Sequence, residues 1–494
     1  MPAINSKAVD ELRASLSATA LVLTPDSEGY AEGLKRWATS AEKPAGLVVY
    51  PTSDEDVSKT VLFGTTHSLE LVVHGGGHSS GGSSSTDGGI SIDLSKMRAC
   101  TVNPEKKTIT VQGGALWKDV DEALGPYGLA AVGGTVNHTG VGGLTLGGGY
   151  GWLTPQHGLT IDNLLSVTLV LANGSITTCS SAQNADLFWA ARGAGRGFGV
   201  ATSFLFQAFE QKNPVWEGMM IFPPTKLKEV FEISNFLTES DEGRAAHVVG
   251  FVSPPPDFRA VVAVVVFWDG GEGEGRAFYG RLLELGPVVD TMAVMPYEKL
   301  NGMVNELMPF GFRRSMKGSV CSPLRSTPNM IMILTTSLIP QACLIPIDPT
   351  FAETVFQDYV QFKADVPDAA GSSVLFECLS PRKLIQVPQT ATSFANRGYY
   401  FNVLFSTTWT KKETDEAGRE WSRKMGVKMN EFLRKGVEKG AGDDNTRSGV
   451  GQYANYDSID EKGQVLFGVD FPRLVELKKR YDPGNVFGKG LNLL

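Results

Sequence analysis

Two histidines stand four residues apart in Val73-His-Gly-Gly-Gly-His-Ser79, with only glycine between them. Close strand-like runs flank this stretch, which fits a loop that approaches a ligand. A second cluster reads Gly140-Val-Gly-Gly-Leu-Thr-Leu-Gly-Gly-Gly149, and a third runs from Gly193 to Gly199. Backbone amides without Cβ shielding can line up as donors to phosphate, so dense glycine beside strands points to phosphate-bearing ligands. The common nucleotide patterns nevertheless fail. Thr145 occupies the last position that GxGxxG requires in the second cluster, and Phe198 does so in the third. Gly449-Val-Gly-Gln-Tyr-Ala454 fits GxGxxA, but Asn455 and Tyr456 follow it in a strand-like context, and no GxxxxGK[ST] is present. A Rossmann or P-loop reading is therefore disfavoured. Cys100, Cys179, Cys321, Cys343 and Cys378 form no CxxC pair, so neither a zinc site nor a disulfide framework is indicated, and no metal is expected.

Short elements must position these loops. Residues 46–115 read as strands and turns, with a buried strand at 69–73 and alternating strands at 90–94 and 109–112. Trp117, Val120 and Leu124 mark a helix stopped by Gly125-Pro126. Segments 164–172 and 176–179 form a predicted hairpin with a type I′ turn at Asn173-Gly174. Asp186 is placed to cap a helix that carries Phe188 and Trp189 and stops near Gly193. Beyond about residue 208 the texture changes. Apolar strands are predicted at 247–253, 259–268, 329–339, 372–379 and 399–408, with amphipathic helices between them, such as 350–364 and 414–435. That mixture suggests an antiparallel sheet backed by helices, an α+β arrangement. After about 445 glycine, asparagine and tyrosine return, then a capped helix at 470–481 ends in Asp482-Pro483.

Composition bounds the function. The 494 residues are 42% hydrophobic and 20% charged, ordinary for a folded chain of two or three domains. A net charge of −8 gives no electrostatic grip on nucleic acid or anionic lipid, so neither nucleic acid nor a membrane is an expected partner. Asp10, Glu11 and Arg13 interrupt the first 25 residues, and no apolar run is long enough to span a bilayer. A cytoplasmic location is the expectation, with a mature secreted form still compatible.

Together the motifs carry a family likeness. Val73–Ser79, followed by Ile92-Asp-Leu-Ser-Lys-Met97, resembles the pyrophosphate loop of the vanillyl-alcohol-oxidase superfamily of FAD enzymes, and most closely its berberine-bridge-enzyme-like branch. Thr139–Leu153, then His157-Gly-Leu-Thr-Ile-Asp-Asn163, is similar to that branch's second flavin-binding segment, especially in 6-hydroxynicotine-oxidase-like members. Asp186-Leu-Phe-Trp-Ala190, Arg192-Gly193, Phe198-Gly199 and Asp482-Pro-Gly-Asn-Val-Phe487 complete the pattern. The resemblance covers the N-terminal 207 residues and the C-terminal segment, and thins to texture in the middle. It implies an α+β chain. Residues 1–207 and 446–494 would form a two-part FAD-binding domain of the PCMH/VAO type, around a central substrate domain at 208–445 whose antiparallel sheet is backed by helices.

By position, the resemblance implies that His78 bonds covalently to the flavin 8α carbon. His74, Gly75, Gly76, Gly77 and Ser79 would cradle FAD in the same loop, and Thr139, Gly140, Gly142, Gly143, Gly147 and Gly149 in the second segment. His74 stands where many members carry Arg or Ser, which leaves its role open. Val136 occupies the place of the cysteine in doubly linked members. One histidyl linkage is therefore implied, and a carbohydrate oxidase is less favoured. Thr139 falls at the position governing oxygen access and is similar in volume to the valine of oxidases. Tyr453-Ala-Asn-Tyr456 resembles the tail motif beside the flavin, with Tyr453 and Asn455 lining the site. The glutamate base of alkaloid-type members has no counterpart on 399–409, which carries Asn402 and no acid. Glu377, Tyr453 and Tyr400 are candidates in its stead, unless the substrate needs no base. The implied activity is an FAD-dependent oxidase acting on an alcohol or amine carbon of a small secondary-metabolite-type substrate, with molecular oxygen reduced to hydrogen peroxide. A dehydrogenase using another acceptor, and a flavin-retaining cyclase or isomerase, remain open. Met303, Met308, Phe310 and Phe312 hint at an apolar or aromatic substrate.

Overall fold

A computed structural model describes residues 4–211, 214–317, 342–344, 346–438, 452–456, 462–491 and 493–494. The expected strand at 329–339 and the start of the Gly449–Ala454 pattern lie outside them.

The first sheet has four strands in the order Leu21–Leu23, Leu47–Tyr50, Ile90–Asp93, Leu71–His74, and the last three are mutually parallel. Parallel strands need a crossover, and the helix Asp54–Thr66 carries the chain from Leu47–Tyr50 to Leu71–His74 on the far side of Ile90–Asp93. Ser53 caps it by accepting from the Asp56 N–H, and three acids fill its first turn. Residues 46–115 thus hold a helix where strands and turns were predicted. Four threonine and glycine positions, Thr60, Gly64, Thr65 and Thr66, dilute its apolar spacing.

The second sheet is antiparallel and five-stranded: Cys100–Asn103, Thr108–Gln112, Val200–Gln207, Leu164–Val170, Ile176–Ser180. Its last two strands form the expected hairpin with a different turn. Gly174 has φ +77° while Asn173 stays out of the left-handed region, and the Gly174 N–H donates to the Leu171 carbonyl. A type I turn followed by a left-handed glycine satisfies the same strands. The helix Ala185–Ala194 starts from Asn184 and not from Asp186, whose carboxylate takes Arg480 and the Tyr481 hydroxyl.

The third sheet joins nine strands, all antiparallel, along the order Val289–Asp290, Val215–Phe222, Val261–Trp268, Ala245–Val252, Ser373–Leu379, Tyr400–Trp409, Arg313–Lys317; Ala293–Met295 and Ala342–Leu344 pair beside this path. Its alternation splits the side chains. Trp216, Val249, Phe251, Val264, Phe376 and Phe405 pack on one face among residues of the helices Leu227–Ser240, Pro349–Asp365 and Asp415–Glu438. The opposite face looks toward the glycine loops. The chain is α+β, with an antiparallel sheet backed by helices.

Two segments tie the sheets together. Residues 389–397 run against the helix Ala185–Ala194: the Trp189 indole donates to the Thr390 carbonyl at 2.8 Å, and Ser393 Oγ donates to the Ala190 carbonyl at 2.9 Å. Fully buried Arg397 closes the strap on Asp162 at 2.6 Å. The Asp482-Pro-Gly-Asn-Val-Phe487 motif folds on itself, its aspartate accepting from the Val486 and Phe487 N–H groups. Buried Lys478 donates to Asp482 and to the Gly197 carbonyl, which returns Lys489 and Gly490 to the glycine loops. Among the described residues no helix is long and apolar enough to cross a membrane, and no group of His, Cys, Asp or Glu is placed to hold a metal.

Candidate active site

A cavity of about 1020 Å³ lies between the glycine loops and the free face of the nine-stranded sheet. Its glycine wall includes Gly75, Gly76, Gly77, His78 and Ser79 from one loop and Thr139, Gly140, Gly142 and Gly143 from the other. The two loops touch, because a Cβ on Gly76 would lie 2.3 Å from the Gly140 nitrogen. A Cβ on Gly143 would meet nothing within 4 Å, since that face opens on the cavity. Among the described residues no backbone acceptor takes the N–H groups of Gly76, Gly77, His78 or Ser79. Unpaired amides beside an open, Cβ-free cradle suit a phosphate-bearing dinucleotide, so these residues fit FAD.

His78 lines this wall with its ring stacked on Trp37, centroids 5.1 Å apart and planes within 6°. Its Nε2 meets Nδ1 of His138 at 2.7 Å. Burial first, then the charges near His138 and Arg314, push the His78 pKa down to about 3, so the ring is neutral. His138 is also pushed down, by burial and then by Arg314. His74 is absent from the cavity wall. Its Nδ1 pairs with Asp93 at 2.7 Å, and its ring packs beneath left-handed Gly77, φ +70°. Gly147 and Gly149 likewise stand behind the wall. A Cβ on Gly147 would strike the Asn455 side chain at 2.1 Å, so glycine there admits the tail.

That tail is a turn, not a strand: the Tyr456 N–H donates to the Tyr453 carbonyl. Tyr453 and Asn455 both line the cavity, and the Asn455 amide donates to the Leu144 carbonyl and to the Tyr453 hydroxyl, at 2.9 and 3.0 Å. Burial raises the Tyr453 phenol to about 12 even though the Asn455 amide favours its ionised form.

The sheet wall is apolar, with Met219, Ile221, Val248, Val265, Leu375 and Leu404 on one face. Glu377 is the one carboxylate that the strands of this sheet send into the cavity among the described residues. The Tyr456 hydroxyl donates to its Oε1 at 2.5 Å. Burial pushes the Glu377 pKa up to about 7, against the opposing pull of Tyr456 and Asn402. Asn402 stands directly opposite on the next strand, yet Oε2 is left without a well-formed hydrogen bond. Tyr400 and Asn402 border a small crevice behind Glu377 and do not line the main cavity, and the Tyr400 hydroxyl donates to Asn396 Oδ1 at 2.7 Å. The structure thus brings Glu377, Tyr453 and Asn455 together with the glycine loops. Tyr400 stays apart, and Asn402 reaches the site through Glu377.

Sequence reasoning missed three partners, His138, Trp37 and Arg314, and gave Tyr456 no role beyond its place in the tail motif. His138 carried a usable signal, being one of only six histidines and placed just before the second glycine cluster. Trp37 and Arg314 are far away in sequence, and only the fold brings them in. Arg314 lies over the Trp37 ring at 4.3 Å.

Comparison with known proteins agrees with this geometry. Residues 45–180 match the FAD binding domain family, and residues 452–492 match the berberine and berberine-like family. The chain is 31% identical over 506 aligned residues to FAD-linked oxidoreductase pgmH of Aspergillus terreus, covering 99% of this chain and 96% of that one. It is 32% identical to (R)-6-hydroxynicotine oxidase of Paenarthrobacter nicotinovorans over 303 residues, 61% of this chain and 66% of the relative. The crystal structure of 6-hydroxy-D-nicotine oxidase from Arthrobacter nicotinovorans has the same fold, with a TM-score of 0.78 and 24% identity over 95% of this chain and 97% of that one. BBE-like 1 of Physcomitrella patens also shares it, with a TM-score of 0.78 at 18% identity over 98% and 99% of the two chains. The two touching glycine loops and the tail that folds back on them belong to an FAD-dependent enzyme, and the chain is a member of the berberine-bridge-enzyme-like FAD-linked oxidoreductases.

Proposed function

We propose that the chain is an oxidase that takes a hydride from an alcohol or amine carbon of a small, largely apolar molecule of the secondary-metabolite type. FAD is attached through His78, dioxygen is the electron acceptor, and hydrogen peroxide is released. The two glycine-bearing segments, 1–207 and 446–494, form the cofactor unit in this reading, and 208–445 forms the substrate unit. The observation that carries it is Glu377, an acid with its pKa near 7 on an otherwise apolar sheet face that opposes the cofactor loops.

When bound, FAD supplies the hydride acceptor. The glycine loops hold its phosphates with unshielded amides. A branched aliphatic floor orients an apolar substrate and excludes water. The Glu377 carboxylate, held by the Tyr456 hydroxyl at Oε1, takes the hydroxyl or ammonium proton. Asn402 steadies the same carboxylate from the neighbouring strand. The Tyr453 hydroxyl, held by Asn455, is a hydrogen-bond partner for the substrate heteroatom. Thr139 lines the cavity with a side chain small enough to leave dioxygen a path.

Anaerobic mixing with a panel of aromatic and aliphatic alcohols and amines tests this reading. A substrate should bleach the flavin, and Glu377→Gln should slow bleaching by about 10²- to 10⁴-fold, the usual contribution of a general base. Unchanged bleaching in that variant would remove Glu377 from the chemistry. Slow reoxidation of the reduced flavin by air would replace the oxidase with a dehydrogenase.

A further inference from the structure

We propose that the small crevice behind Glu377 binds one ordered water, held by Ser380 and Asn402, and that Ser380 is thereby a positioning residue for the sheet's carboxylate. Three buried polar atoms carry this. Glu377 Oε2, Ser380 Oγ and Asn402 Oδ1 each stand without a hydrogen-bond partner, and Ser380 and Asn402 are only 3% and 4% exposed. All three residues line the same crevice, whose volume is about 10 Å³. That is about the room one water takes, and a buried water makes roughly two to four hydrogen bonds. The other polar side chains on the wall are already committed. Tyr150 and Tyr400 both donate to Asn396 Oδ1, at 3.1 and 2.7 Å, and Thr154 Oγ1 accepts from the Gly151 N–H at 2.9 Å. Tyr456, the partner of Oε1, is not on this wall, so the crevice meets the other carboxylate oxygen.

The donors and acceptors match. The water's two hydrogens go to Glu377 Oε2 and Asn402 Oδ1, and one of its lone pairs accepts from the Ser380 hydroxyl. The sheet brings the three together. Glu377 and Asn402 are directly opposite on neighbouring strands, and Ser380 follows immediately after Ser373–Leu379. A hydrogen bond donated to Oε2 favours the ionised carboxylate, so the water opposes the burial that pushes Glu377 up to about 7. Tyr150, Tyr453 and Tyr456 face Glu377 from other elements. Burial raises all three phenols above their ordinary value, so none changes charge where Glu377 does. Arg397, whose charge reaches Tyr150, is closed on Asp162. The catalytic consequence rests on the general-base reading above; the water does not.

The test uses the flavin-loaded protein. A crystal structure of wild type should show one water within about 3 Å of Glu377 Oε2, Ser380 Oγ and Asn402 Oδ1. Infrared difference spectra of wild type against Glu377→Gln follow the protonated Glu377 carboxyl as pH rises, with no substrate present. Ser380→Val fills the crevice with methyl groups and should expel the water, moving the Glu377 titration up by about 1–2 pH units, as loss of a hydrogen bond to a charged group requires. Ser380→Ala keeps the room and two of the water's partners, so its titration should stay within about half a pH unit of wild type. The pH step of flavin reduction should move with the titration in each variant. A crevice without water in wild type, an unmoved titration in Ser380→Val, or an equal shift in Ser380→Ala would overturn the proposal. A shifted infrared titration with an unshifted reduction step would leave the water in place and overturn the base reading. If Ser380→Val does not fold, the wild-type crystal structure decides alone.

Discussion

Around Gly76 and Gly140 two backbones touch, and a Cβ on either would sit 2.3 Å from the other's nitrogen. Across the cavity, a Cβ on Gly250 would meet the Leu375 and Val252 side chains at 3.0 and 3.4 Å, with the nearest backbone atom, the Ala263 oxygen, 3.9 Å away. The cofactor side is shaped by main chain with no slack. The sheet side is shaped by side chains on a sheet whose backbone is already satisfied by its neighbours. A wall made of backbone can serve only a ligand that does not change. A wall made of side chains can be altered residue by residue while the sheet stays intact.

This contrast can be broken at its joint first. Phe394 belongs to the strap at 389–397 and packs on Tyr150 and Tyr453, with Gly148 and Gly193 opened to admit it. Phe394→Ala should cost about 3–5 kcal/mol of stability, read by denaturant unfolding. It should also loosen flavin retention, because the strap touches both halves. A smaller loss would mean that the halves hold together without it. Next comes the same substitution placed on each side. Gly140→Ala must displace backbone and should cost about 1–3 kcal/mol together with most of the bound flavin, measured by the ratio of flavin to protein absorbance. Gly250→Ala should cost below about 1 kcal/mol, keep its flavin, and change only which substrates bleach it. Equal flavin loss in the two variants would erase the distinction between the walls.

The same contrast explains what could be read from sequence. Tight backbone contacts demand glycine at fixed spacing, so the cofactor side announced itself in Val73–Ser79 and Gly140–Gly149. The strands at 247–253, 259–268, 372–379 and 399–408 were visible through their apolar runs, and all appear within two residues at each end. The strand Arg313–Lys317 was not, because Arg-Arg-Ser-Met-Lys carries no such run. The type I′ turn at Asn173 failed because one extra residue lets a commoner turn close the same hairpin. Asp186 lost its cap because a distant pair, Arg480 and Tyr481, competes for its carboxylate. Glu377 could be named as a candidate, but its partner Tyr456 is 79 residues away, and no local pattern joins them. The His78–His138 pair, 60 residues apart, was hidden for the same reason.

The most direct measurement is the pH dependence of anaerobic flavin reduction by a substrate, in wild type and in Glu377→Gln. Burial holds the Glu377 pKa near 7, above the ordinary carboxylate range, and a base acts only when ionised. The wild-type rate should therefore climb with pH and level off above about 7, while Glu377→Gln should be slow and without that step. A Glu377→Gln protein that keeps the wild-type rate and the wild-type pH profile would contradict proton removal by the sheet's carboxylate.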